Sequence, residues 1–227
     1  MRPPASASPE QDREDAAAQR EWWRNLVAVL RSPRAVFVQI RDDSDEAAGA
    51  RQEPILAVIL LSGMAAVLSF SGATGTLLDD RARDGIVVAV VIFLAGALYG
   101  VAGYWLGSLA LHMGVQGAKG DGSYRRDRHL LAYALTPLAL SLFVVWPIRL
   151  VAFQGANFQS GGSDDGAADR VFTTVSLLFL LWSVVLLFIG VRTVHRFTLI
   201  RSLGAMLLAT MALGALGLVA LLLGAGI

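Results

Sequence analysis

The sequence predicts an all-α fold: a polytopic membrane protein with five transmembrane helices preceded by cytoplasmic interfacial amphipathic helices. Composition is the first reason. Of 227 residues, 55% are hydrophobic and 16% charged, and the mean hydropathy is +0.58, whereas soluble domains carry about 25% charged residues. The second reason is five apolar stretches, 54–70, 86–113, 128–146, 171–191 and 202–227. At about 1.5 Å of rise per residue, each crosses or nearly crosses a hydrocarbon core about 30 Å thick. The third is charge. Fifteen of the nineteen Lys and Arg residues fall before the first stretch, between the second and third counting the border residue Arg128, or between the fourth and fifth. The positive-inside rule then places the N-terminus in the cytoplasm, and five crossings place the C-terminus outside. The other side holds Arg81, Arg83, Arg149 and Arg170 among Asp79, Asp80, Asp84, Asp164, Asp165 and Asp169.

Residues 1–18 are rich in Ala, Ser, Pro, Glu and Arg without a period and read as a disordered tail with no apolar signal-peptide core. Residues 19–53 form a second unit. Trp22, Trp23, Leu26, Val27 and Leu30 recur at helical spacing while Arg20, Arg24 and Arg31 share another face, which defines an amphipathic helix. Ser32 and Pro33 supply an N-cap and a first-turn proline for a second short helix carrying Val36, Phe37 and Ile40. One reading lays this unit on the cytoplasmic leaflet, tryptophans at headgroup depth and arginines toward anionic lipid. The other packs the same face on the protein's own loops. A charged connector, "RDDSDEAAGARQE", leads to the membrane.

Residues 54–227 form the bundle. In the second stretch Gly96, Gly100, Gly103 and Gly107 share one helix face, and small residues at that spacing let helix backbones approach closely, within the chain or between two copies. Gly214 and Gly217 begin a similar stripe in the fifth stretch, a candidate for its other half. The third stretch contains Pro137, which frees the carbonyl of Tyr133 beside the hydroxyl of Thr136, so a kink is expected. Trp146 falls at the level of an aromatic belt, and Pro147 then marks the end of the span.

Chemistry is sparse. There is no cysteine, hence no disulfide, thiolate metal site or cysteine nucleophile. Ser108 and His112 lie one turn apart, but a nucleophile–base pair needs a third group to orient the base, and none stands nearby in sequence. His112 therefore reads as a hydrogen-bonded interfacial residue, and His129 and His195, at span borders, as pH-insensitive or headgroup-facing residues without metal-ligand spacing. The loop "GVQGAKGDGSYRRDR" lacks the P-loop pattern and reads as solvated, with Arg125 and Arg126 touching anionic lipid.

The order of "VLRSPRAVFVQI", the Gly-rich "GAKGDGSYRRDRHLLAYALTP" and "LWSVVLLFIGVRTVHRFTLIRS" resembles the Yip domain family of five-span proteins, named for interaction with Ypt/Rab GTPases. The residues that carry the resemblance are Pro33, Phe37, Gly120, Gly122, Tyr133, Ala134, Pro137, Trp182, Gly190 and the turn from His195 to Arg201. It implies a five-span fold and no catalytic residue. Eighteen of the nineteen basic residues are arginine, which favours the bacterial branch and with it the plasma (inner) membrane, so no Rab partner is carried over.

The expected function is that of a non-enzymatic membrane scaffold or partner-binding protein. Its surroundings are the lipid bilayer and a protein partner on the cytoplasmic side or a second copy of itself, with no nucleic acid, metal or cofactor. The alternative is a transporter or channel component that uses the Pro137 kink.

Overall fold

The computed structural model describes residues 9–70, 77–79, 84–160 and 166–225. Asp80, Arg81, Arg83, Asp164 and Asp165, used above for the charge asymmetry, lie outside these residues. The elements are α1 (Pro9–Arg31), α2 (Pro33–Gln39), α3 (Asp45–Ala50), α4 (Gln52–Phe70), α5 (Gly85–Gly117), α6 (Tyr124–Ala134), α7 (Thr136–Phe153), a 3-10 turn (Gln154–Phe158), α8 (Ala167–Val194) and α9 (Leu199–Ala225). Among the described residues, five helical segments are long and apolar enough to cross a membrane: α4, α5, the α6–α7 unit, α8 and α9. The helix α1 begins at Pro9, inside the stretch read as a disordered tail.

The central member is α5, packed between α4 and α9, while α7 lies between α4 and α8. Asp84 caps α5 by accepting from the N–H groups of Ile86 and Val87, both at 3.0 Å, which satisfies two of the helix's four orphan donors. The 33 residues of α5 span about 50 Å, so the helix overshoots a bilayer core. Its C-terminal turns, the N-terminal ends of α4, α6 and α9, and the C-terminal end of α8 gather with α1–α3 into one polar end.

Backbone approach between α4 and α5 needs glycine on both. A methyl at Gly63 would lie 2.6 Å from the Cα of Gly100, and one at Gly96 would lie 2.7 Å from the Cα of Met64. A second close crossing joins α5 to α9, where a methyl at Gly114 would meet the backbone N of Ala209 at 2.7 Å. A methyl at Gly107 would lie 3.1 Å from Leu131 Cδ2 on α6, whereas one at Gly103, Gly214 or Gly217 would meet nothing within 4 Å. At the crossing with Gly114, α9 contributes Ala205 and Ala209.

The helix breaks at Leu135, between α6 and α7, with Pro137 in the first turn of α7. Thr136 Oγ1 donates to the carbonyl of Tyr133 at 2.8 Å, the group that proline leaves without a helical partner. The N–H of Leu138 donates across to Ser183 Oγ on α8 at 3.2 Å. Pro147, read above as the end of the span, is instead inside α7, which runs on to Phe153. Arg149, two residues on, is paired. It donates to Asn157 Oδ1 at 2.8 Å and Asp169 Oδ1 at 2.7 Å. Trp146 is likewise no exposed belt residue: it is 4% exposed, stacks on Phe158 and donates to Ser69 Oγ at 3.2 Å.

Candidate functional site: the polar end of the bundle

Helix α6 is the axis of this end. Ser123 caps it by accepting from the N–H of Arg126 at 3.1 Å, and its inward stripe of Asp127, Leu130, Leu131 and Ala134 is buried. The carboxylate of Asp127 has no solvent exposure. His112 Nδ1 from α5 reaches Oδ2 at 2.7 Å, and His195 Nε2, from the turn after α8, lies 2.9 Å from Oδ1. The His195 contact is close enough for an ion pair but is not aligned as a hydrogen bond. The loop glycines make this convergence possible. A methyl at Gly122 would lie 2.6 Å from His195 Cε1, and one at Gly120 would lie 2.5 Å from Phe197 Cζ.

The acid missing from the sequence reading of Ser108 and His112 is thus Asp127, and two histidine assignments are corrected. The His195 side chain is fully buried and His129 is 7% exposed, so neither faces headgroups. His195, in the turn after α8, has its side chain against Asp127 and the backbone at Gly122, and His129 lies among the buried residues of α6. The dyad is not joined by a direct hydrogen bond: Ser108 Oγ is buried and makes none. Among the described residues, no group of three or more His, Asp or Glu side chains has the arrangement to hold a metal ion.

The N-terminal helices are fastened to α6 and α8. Trp22 is buried at 8% exposure; its ring meets Tyr133 edge-on at 5.6 Å, and Tyr133 donates from its hydroxyl to the Trp22 carbonyl at 3.3 Å. The guanidinium of Arg51 lies over the other side of Trp22 at 4.9 Å and donates from Nε to the carbonyl of Ala47 at 2.7 Å. Burial lowers the Arg51 pKa from its ordinary value, although guanidinium stays charged. Arg41 donates to the carbonyl of Thr193 near the end of α8 at 3.1 Å, and Phe37 packs on Gly190. Arg125 pairs with Asp43 at 2.9 Å and Asp45 at 2.5 Å. Burial opposes ionisation of Asp43, but hydrogen bonds from Ser123 and Arg125 outweigh it and hold the carboxyl below its ordinary pKa.

Of the residues read as lipid-contacting, Trp22 therefore contacts protein and Arg125 is paired with aspartates. Trp23 remains 42% exposed, and Arg20, Arg24 and Arg31 are exposed. Ser32 stands at the start of α2 as expected, but its side chain makes no capping hydrogen bond. Trp182 is partly exposed on α8, near Phe179.

A family model for the Yip1 domain matches residues 27–221, from the last turns of α1 nearly to the end of α9. The chain belongs to the Yip1 domain family. This Yip1-domain protein is a multi-span membrane protein. The match begins after Trp22, so the Trp22–Tyr133–Arg51 stack ties a segment preceding the match to the bundle. No curated protein and no solved structure matches the chain.

Sequence reading missed Asp127, Arg51 and Gly63. The first lies in "RRDR" and the second in a charged connector, and both look solvated. A signal existed in the helical period. Asp127 falls in register with Leu130, Leu131 and Ala134, and Arg51 with Ile55 and Val58, on stripes that are otherwise apolar.

Proposed function

We propose that this Yip1-domain protein is a non-enzymatic membrane scaffold that binds a partner protein on its polar, cytoplasmic face. The observation that carries the reading is the division of α1 and α2 into a fixed inner face and an open outer one. Trp22, Val29, Val36 and Phe37 are packed inward, while Trp23, Val27 and Val38 are exposed at 42%, 58% and 45%. Apolar side chains held out from a rigid support form the kind of patch that marks an interaction surface. Members of the family are generally non-enzymatic. The break at Pro137 gives the transporter reading little support, because the hydroxyls of Thr136 and Ser141 are spent on backbone carbonyls.

Photo-crosslinking from Val27 and Val38 in cells tests the reading. Protein adducts of defined mass from both positions are expected, and they should persist in Pro137→Ala. Adducts with lipid alone would turn the patch into a membrane anchor. Solute flux through vesicles of the purified protein, lost in Pro137→Ala with folded protein intact, would replace the scaffold by the transporter.

A further inference from the structure

Where the C-terminal ends of α5 and α8 meet the start of α9, the polar end holds an open cavity of about 420 Å³. Its lining brings together Arg41, Lys119, Arg126, Arg196 and Arg201, with Asp121 as the one carboxylate among its lining residues. These cations come from separate parts of the chain: the end of α2, the α5–α6 loop, α6, the α8–α9 turn and α9. Bringing like charges together is unfavourable unless something offsets them.

Two have a structural use. Arg41 donates to the carbonyl of Thr193, and Arg201 donates to the carbonyls of Ala118 and Lys119 at 2.9 and 3.1 Å. They neutralise the negative ends of α8 and α5. Lys119 and Arg196 have no such use, and Arg126 makes no side-chain hydrogen bond, although Asp42 and Asp43 are near enough to feel its charge. Lys119 and Arg196 stand in the left-handed region, at φ 58° and 53°, where glycine or asparagine is the less strained choice. Both positions carry a cation instead. Arg126 adds a buried Nε–H that has no acceptor, a costly arrangement for a donor.

We propose that this cavity binds a phosphate group, taken up between Arg126, Lys119 and Arg196. Guanidinium matches phosphate geometry through paired N–H donors, and lysine adds a point charge. The volume leaves room for the group that the phosphate esterifies. That group is either the glycerol of an anionic phospholipid, entering where α8 and α9 reach the interface, or a soluble metabolite. Such a site is independent of whether a protein partner docks on α1 and α2.

The full chain in neutral detergent provides the test. Calorimetric titration with inorganic phosphate and glycerol 3-phosphate probes the soluble source. Native mass spectrometry with added phosphatidic acid, against phosphatidylcholine as competitor, probes the lipid source. The variants are Lys119→Asn with Arg196→Asn, in which asparagine tolerates the backbone, and Arg126→Gln alone. Arg34→Gln with Arg170→Gln removes the same charge as the double variant from exposed positions on α2 and α8. Saturable binding of at least one anionic probe to the parent is expected, weakened at least tenfold by both cavity variants and less than twofold by the control. Retention of phosphatidic acid alone assigns the headgroup, binding of a soluble probe alone assigns a metabolite, and binding of both gives a phosphate site open to either. Absence of saturable binding to the parent, which needs no variant to fold, overturns the proposal, as do equal losses in cavity and control variants.

Discussion

A carboxylate without solvent contact persists only where cations or donors reach it, and Asp127 meets that condition through His112 and His195. Removing it strands two imidazoles beside a cavity, so Asp127→Ala is expected to cost about 3 kcal/mol. Asp127→Asn keeps the volume and one acceptor and should cost less. Thermal unfolding in detergent measures both, and an Ala variant as stable as the parent would contradict the assignment. Asp43 gives a pH signature. Its native pKa lies below the ordinary Asp value of about 3.9, so its stabilising contribution is complete above that value and is lost as pH falls through the lower native pKa. The stability difference between the parent and Asp43→Asn should therefore be constant between pH 5 and 7, roughly, and shrink below about pH 4. A difference that grows on acidification would contradict the pairing with Arg125 and Ser123. These residues were hard to read because a charge within a charged run gives no sign of burial; only its register against Leu130 and Leu131 does.

Helix packing was partly legible. The spacing of Gly96 and Gly100 points to a close crossing, but the partner, Gly63, is a lone glycine in α4 with no repeat to announce it. Gly114 continues the same α5 face one residue beyond the hydropathic stretch that ended at Met113, because the helix outlasts its apolar segment. The stripe on α9 was legible as spacing only: Gly214 and Gly217 have open space beside them. Gly100→Leu should force α4 and α5 apart and destabilise the bundle by about 1–3 kcal/mol or more, while Gly214→Leu should leave its unfolding temperature near that of the parent. The reverse order would place the packing seam on the wrong helix. Pro147 misled for a local reason. Its missing N–H costs one helical hydrogen bond, and that loss alone does not end a helix that runs on to Phe153.

At the scale of the whole molecule, length and hydropathy were enough for five spans, since a spanning helix is defined by its apolar length. The packed polar end was less legible, because it depends on contacts between segments far apart in sequence, such as Trp22 with Tyr133 and Asp43 with Arg125. The account holds that α1–α3 and the α5–α6 and α8–α9 connections share the cytoplasmic side, and that the turn after α7 lies on the other. With no native cysteine, single substitutions test this directly. Glu46 in α3 and Gln159 after the 3-10 turn are both exposed. In intact cells, Gln159→Cys is expected to react with a membrane-impermeant maleimide and Glu46→Cys only after the membrane is opened. Reversed labelling would contradict the orientation, and labelling of both from the same side would contradict the odd number of crossings between them.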